Sequence, residues 1–197
     1  AMDLARYLIG EPEAVTAVNK TIIKERPLPG VGATAFTAGT GTDTSQMAKV
    51  EVDDASFALV EFKNGALGSV ETSRFATGCK NYNYFEVYGS KGALRFNLER
   101  MNELEFLDAT DPGPEQGFRT IPTTDGSMPY MSAWWPAGHI IGYEHTFVNA
   151  FRDFLHAVAG KETIKPDFSD GAQIIRILTA IQKSSDEQRR VVIDEIL

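Results

Sequence analysis

Residues Asn64-Gly65 stand between two β-rich runs, Asp54 to Lys63 and Ala66 to Arg74. An Asn-Gly pair in that setting is a strong hairpin signal, because both residues tolerate the positive φ of a type I′ turn. It commits the middle of the chain to antiparallel pairing. Gly89-Ser90-Lys91-Gly92 makes another tight connection, between Tyr84 to Tyr88 and Ala93 to Asn97, and Glu103 to Leu107 and Phe118 to Ile121 supply further short strands. Hairpins in succession build a largely antiparallel sheet. Upstream, Val15 to Lys24 reads as one more strand, followed by an irregular Pro-, Gly- and Thr-rich loop from Arg26 to about Ala48.

From Gly142 the apolar period lengthens. Phe147, Val148, Phe151, Phe154, Leu155 and Val158 fall on one helical face that ends at Gly160. Ser169-Asp170 can cap a second helix carrying Ile174, Ile175, Leu178 and Ile181, and Arg190 to Asp194 reads as a last strand. At the start, Leu4, Leu8 and Ile9 suit a short helix stopped by Gly10 and Pro12. Strands grouped in the middle with helices at the ends give a two-layer α+β fold, an open, mostly antiparallel sheet with helices over one face. Residues 1–197 read as a single domain. Phe57 and Leu59 alternate with Ala58, Val60 and Phe62, so this strand is apolar on both sides. An antiparallel strand facing water alternates more cleanly. The second sheet face is therefore expected to be buried against another subunit, in a homodimer or tetramer.

The 197 residues are 43% hydrophobic and 23% charged, which suits a globular domain that folds without a metal or disulfide. The single cysteine, Cys79, has no internal partner and fits a reducing compartment. Net charge is -8, and Lys and Arg are scattered, which argues against nucleic acid or an anionic membrane as a partner. No apolar run approaches the ~20 residues of a membrane span, and the first residues lack the pattern of a secretory leader. The expected location is the cytoplasm.

Few motifs carry chemistry. Gly30-Val31-Gly32-Ala33-Thr34-Ala35 matches a dinucleotide-binding turn in letters. Pro27 and Pro29 separate it from the preceding strand, and the surroundings lack a βαβ rhythm, so a loop is the better reading. His139 follows Trp134-Trp135-Pro136-Ala137-Gly138, where aromatic faces can stack on a sugar ring while polar groups fix its hydroxyls. From residue types alone, a capping or core loop with the tryptophans filling space is the better reading. His145, Glu144 and His156 lack the spacing of a metal site. Arg74, at a strand end, and Lys80, Asn81 and Asn83, in the loop after it, can bind hydroxyls or a carboxylate, or serve as surface turn residues. Asp53-Asp54 reads as a turn before a strand, and Asp3 and Arg6 as a helical pair.

Four segments taken in order carry a resemblance: Asp3 to Glu11 (DLARYLIGE), Asp54 to Ser69 (DASFALVEFKNGALGS), Phe85 to Leu94 (FEVYGSKGAL) and Gly138 to Glu144 (GHIIGYE). Together they resemble the C-terminal half of the Gfo/Idh/MocA oxidoreductases, the glucose-fructose oxidoreductase and inositol dehydrogenase family. The resemblance covers essentially the whole chain. It implies a two-domain enzyme in which an N-terminal Rossmann domain binds NAD or NADP. The C-terminal domain closes over a sugar or cyclic polyol and carries the subunit contacts. In the family, a lysine of a Glu-Lys-Pro motif and a histidine of a G-x-H-x-x-D segment assist proton transfer. This sequence has no Rossmann domain and no Glu-Lys-Pro; its Lys165-Pro166 follows Ile164. If Asp3 matches the aspartate of the second motif, the histidine falls one position before Ala1. The expectation is a chain with no catalytic residue, no metal and no bound cofactor of its own, inactive alone. By resemblance its substrate-facing residues are His139, then Arg74 and Asn81, with Trp134 or Trp135 lining the pocket. The alternatives are a stand-alone sugar-binding or oligomerisation module, or a subunit of a split enzyme completed by a Rossmann partner.

Overall fold

A computed structural model describes residues 1–28 and 46–196. The Gly30 to Ala35 string lies outside the described residues. The chain forms two compact units, Ala1–Thr77 with Pro166–Leu197, and Gly78–Lys165. In chain order the elements are α1 (Met2–Leu8), β1 (Pro12–Lys20), β2 (Glu25–Pro27), β3 (Met47–Lys49), β4 (Ala55–Phe62) and β5 (Leu67–Ser73). The second unit contributes β6 (Tyr84–Gly89), β7 (Gly92–Asn97), β8 (Glu103–Asp108), β9 (Arg119–Pro122) and α2 (Tyr143–Val158). The chain then returns to the first unit with α3 (Phe168–Glu187) and β10 (Val191–Val192).

The first unit is a helix laid on an antiparallel sheet of order β10-β1-β4-β5. Val15 pairs Val60 and Ala17 pairs Ala58, so these side chains share one face. Ile177, Ala180 and Ile181 of α3 press onto that face with Phe62, Val191 and Ile193. Ile177 is completely buried. Burying a side chain of that size contributes roughly 1.5–3 kcal/mol. α3 begins at Asp167, whose carboxylate accepts from the backbone N–H groups of Ser169 and Asp170, while Asp170 answers on the Asp167 N–H. The cap therefore sits two residues before the predicted Ser169-Asp170. The buried stripe is Ile177, Ala180, Ile181 and Ser184, so Ile175 and Leu178 of the predicted face point outward.

β10 pairs β1 only through Ala14 and Val15, leaving the rest of that edge without a strand. Two serines of α3 complete it. The Ser184 hydroxyl accepts from the Ala17 N–H at 2.9 Å and Ser185 accepts from the Asn19 N–H at 2.8 Å. The predicted last strand is cut to two residues because the Glu195 carboxylate takes the Val192 N–H and the chain turns into a 3-10 turn over Ile193–Glu195.

The Asn64-Gly65 hairpin forms, but not as a type I′ turn. Gly65 alone of the pair has positive φ, its N–H donates to the Phe62 carbonyl, and Phe62 in turn donates to Ala66. The Asn64 carboxamide holds the Ile9 carbonyl at the end of α1 instead. The strand predicted to begin at Val15 starts at Pro12, where a proline removes no interior ladder bond. It stops at Lys20 because Asp54 turns the chain away. Asp54 is only 3% exposed, and its Oδ2 accepts from the Ile22 and Ile23 N–H groups at 2.8 and 2.9 Å while Oδ1 meets Arg26. Bonds from Ile23, Ile22 and Arg26 hold its carboxyl below the usual range. Asp54 thus anchors a loop rather than merely preceding a strand. The predicted loop from Arg26 to Ala48 has paired ends, β2 on β3.

On the outer face of this sheet, Val18, Phe57, Leu59 and Leu67 are exposed. The outer face thus carries exposed apolar side chains among Thr16, Ser69 and Glu71, while α3 covers the other. The second unit is an antiparallel meander, β6-β7-β8-β9. Gly92 permits it, since a Cβ there would lie 2.4 Å from the Leu107 carbonyl oxygen. Helix α2 ends before Gly160, whose φ is positive, and buries none of its residues. Among the described residues no helix is long and apolar enough to cross a membrane.

Candidate functional site

The segment between β9 and α2 gathers the aromatic and imidazole groups singled out in the sequence. It is folded against two buried side chains, Met131 and Thr124. The Trp134 N–H donates to the Met131 carbonyl, and Thr124 Oγ1 accepts a long bond from the Gly138 N–H at 3.4 Å. Gly138, with φ of 91°, turns the chain so that His139 folds back over Pro136. The ring is fixed there by a 2.8 Å contact between Nδ1 and the Pro136 carbonyl oxygen. A carbonyl can only accept, so Nδ1 carries a proton, and in the neutral form of the ring Nε2 is left free to accept from a hydroxyl.

Trp135 lies beside it, with ring centroids 6.1 Å apart, and is 75% exposed. The pair presents an aromatic plane next to a hydrogen-bonding ring. Trp134 faces elsewhere, edge-on to His145 at 4.6 Å, with its buried Nε1 making no hydrogen bond among the described residues. The structure thus brings Trp135 and His139 together and gives Trp134 a packing contact with α2. Asn81 is exposed in the loop before β6, where its carbonyl accepts from the Asn83 N–H. Arg74 belongs to the first unit, exposed just past β5, with its backbone N–H on the Asp54 carbonyl.

Sequence reasoning passed over two further clusters. On β6, Tyr84, Glu86 and Tyr88 share one face; both phenols donate to the Glu86 carboxylate, and Arg95 of β7 stands 3.1 Å from it. The bond to Glu86 pushes the Tyr84 phenol up to about 12. Their period-2 spacing was the available signal. In the second cluster, Tyr130 adopts φ of 67° and donates to Asp153 of α2, which also meets Arg152. Nothing in the local sequence announces that strained residue. Among the described residues no group of three His, Cys, Asp or Glu is placed to hold a metal ion.

The profile of an oxidoreductase family's C-terminal α/β domain, that of the GFO/IDH/MocA proteins, matches residues 1–193. Levoglucosan dehydrogenase of Pseudarthrobacter phenanthrenivorans is 40% identical over 99% of this chain and 50% of its own length. Myo-inositol 2-dehydrogenase of Thermotoga maritima is 26% identical over 99% of this chain and 47% of its own. A structure of levoglucosan dehydrogenase in complex with NADH and L-sorbose superposes with a TM-score of 0.86, at 38% identity, over 98% of this chain and 47% of that one. The chain spans about half the length of these relatives. It belongs to the GFO/IDH/MocA oxidoreductase family, as a representative of that family's C-terminal α/β domain.

Proposed function

We propose that this chain is the substrate-binding half of an NAD(P)-dependent dehydrogenase of sugars or cyclic polyols, completed by a Rossmann domain in cis or in trans. The observation that carries this reading is the 40% identity with levoglucosan dehydrogenase, which extends over 99% of this chain and 50% of that enzyme. The described strands pair antiparallel. A dinucleotide sits in the crevice of a parallel βαβ sheet, which these residues do not build. The nicotinamide and the hydride it carries therefore belong to the other half.

On this reading residues 1–197 are a substrate-binding domain. Trp135 offers its face to the apolar side of a sugar ring, and the Nε2 of His139 accepts from a hydroxyl. In the same unit Asn81 supplies a donor and Trp134 backs the loop; in the first unit Arg74 is read separately as a substrate-facing donor. No residue of this chain is assigned a catalytic role. The exposed outer face of β1, β4 and β5 is read as the contact with a second copy in a homodimer or tetramer, since Val18, Phe57, Leu59 and Leu67 form an apolar strip across it. A single cysteine, Cys79, with no internal disulfide partner fits a cytoplasmic location.

Levoglucosan and NAD incubated with this chain alone should yield no NADH. The same chain joined to, or coexpressed with, a nucleotide-binding half should yield it, and there Trp135→Ala should raise KM about tenfold with a smaller change in kcat. Reduction of NAD by the chain alone would overturn the proposal. Submillimolar binding of a polyol by the chain alone would turn it into a stand-alone sugar-binding module. Sedimentation at micromolar concentration tests the sheet contact, for which a monomer is the wrong answer.

A further inference from the structure

We infer that Asn102 and His145 are positioning residues that lock the loop carrying His139, and that the His145 half of the lock opens when its imidazole is protonated. The inference rests on the proposed function only for what this loop faces. The lock itself is read from geometry.

Asn102, just before β8, closes both backbone polar groups of Ile141. Its Oδ1 accepts from the Ile141 N–H and its Nδ2 donates to the Ile141 carbonyl, each at 2.9 Å. One residue on, the Gly142 N–H donates to His145 Nδ1 at 3.0 Å. That bond needs a lone pair on Nδ1, so His145 is neutral with its proton on Nε2. His139 has the opposite arrangement, donating from Nδ1 to Pro136. The two imidazoles therefore respond differently to acid. Protonation of His139 adds a hydrogen at Nε2 and leaves its Pro136 contact intact. Protonation of His145 adds one at Nδ1, and the Gly142 donor then faces a donor.

The surroundings of His145 favour an exchange of partners. The charged group set against the ring is Glu144, whose Oε1 lies 3.5 Å from the same Nδ1. Trp134, at 73° to the ring, carries no charge, and Asn102 and Ile141 are neutral. Glu144, adjacent on the first turn of α2, is then the acceptor for the new N–H. Gly142 is released while Ile141 stays tied to Asn102, a contact without a titrating group. Acid therefore loosens the loop at its junction with α2 alone.

The test follows the ¹⁵N-labelled chain by NMR without sugar, across the window of about pH 8 to 5 in which imidazoles titrate. At the upper end His145 should carry its proton on Nε2. On descent, Gly142 amide protection, corrected for intrinsic exchange, should fall about fivefold, the size of a lost helix cap. The Trp134 indole N–H resonance should shift in step. His145→Gln, whose carboxamide oxygen can accept from Gly142, should keep the protection and abolish its pH dependence, whereas His139→Gln should leave the transition as it is. Should His145→Gln fold poorly, Glu144→Gln serves instead and should move the midpoint to lower pH. Flat Gly142 protection across the titration, an unmoved midpoint in Glu144→Gln, or an unchanged fall in His145→Gln would overturn the inference. None of these readouts involves sugar or NAD, so their failure leaves the dehydrogenase reading untouched.

Discussion

The two units share a plan, an antiparallel sheet of comparable size with one long helix, yet they use their apolar residues differently. In the first unit, Val15, Val60, Ile177, Val191 and Ile193 are essentially inaccessible. In the second, Ala93 and Met131 are the buried hydrophobic residues among those described, and α2 leaves Phe147, Phe151, Phe154, Leu155 and Val158 exposed. An amphipathic helix is evidence of a surface that must be covered, but its sequence does not say by what. α3 finds its cover in the sheet of its own unit. α2 displays an apolar stripe of its own and buries none of it.

The contrast can be broken by paired truncations. Ile177→Ala should lower stability by about 2–5 kcal/mol in denaturant unfolding, and Phe151→Ala by under ~1 kcal/mol. Equal losses would mean that α2 is as well packed as α3. Ser184→Ala should cost about 1–3 kcal/mol, because the Ala17 N–H is left unpaired at a buried site. Hydrogen exchange at Ala17 should quicken with it.

Asp54 sharpens the comparison through pH. Its carboxyl is held below the usual range by Ile23, Ile22 and Arg26, so the folded form binds its proton less readily than the unfolded chain does. That contribution is complete above the unfolded value of about 3.9 and is lost as pH falls through the lower folded value. Unfolding midpoints recorded between about pH 6 and 2 should therefore drop less steeply in Asp54→Asn than in the parent chain. The smallest effect is expected at Gln188, a non-glycine residue with φ of 53° at the end of α3. Gln188→Gly should raise stability by roughly 0.5–1 kcal/mol.

Period and turn chemistry made much of the fold legible. Phe57 to Phe62 announced a strand apolar on both sides, and Asn64-Gly65 announced its hairpin. The register of α3 was less legible, because Ile174, Ile175, Leu178 and Ile181 make a plausible stripe while the buried one runs through Ala180 and Ser184. Small and polar residues give no hydropathy signal even when fully buried. Asp54 does precede a strand as read, but its anchoring role was hidden for a related reason: its partners include backbone N–H groups, which no side-chain pattern reveals. At the candidate site, the proximity of Trp135 and His139 followed from short spacing. The contacts of Trp134 with His145, and of Asn102 with Ile141, join residues 11 and 39 positions apart and had no local cue.

The serines of α3 carry a consequence for how this protein meets others. A strand margin with free N–H groups invites another chain to add itself, and proteins usually discourage this with charges, prolines or bulges. Here Ser184 and Ser185 hem the margin of β1 from within, occupying the donors of Ala17 and Asn19. Growth of the sheet by accretion is closed along that stretch without any charge. Association on this side of the molecule is left to broad faces rather than seams, and a face can be recontoured one side chain at a time without unpicking the weave beneath it.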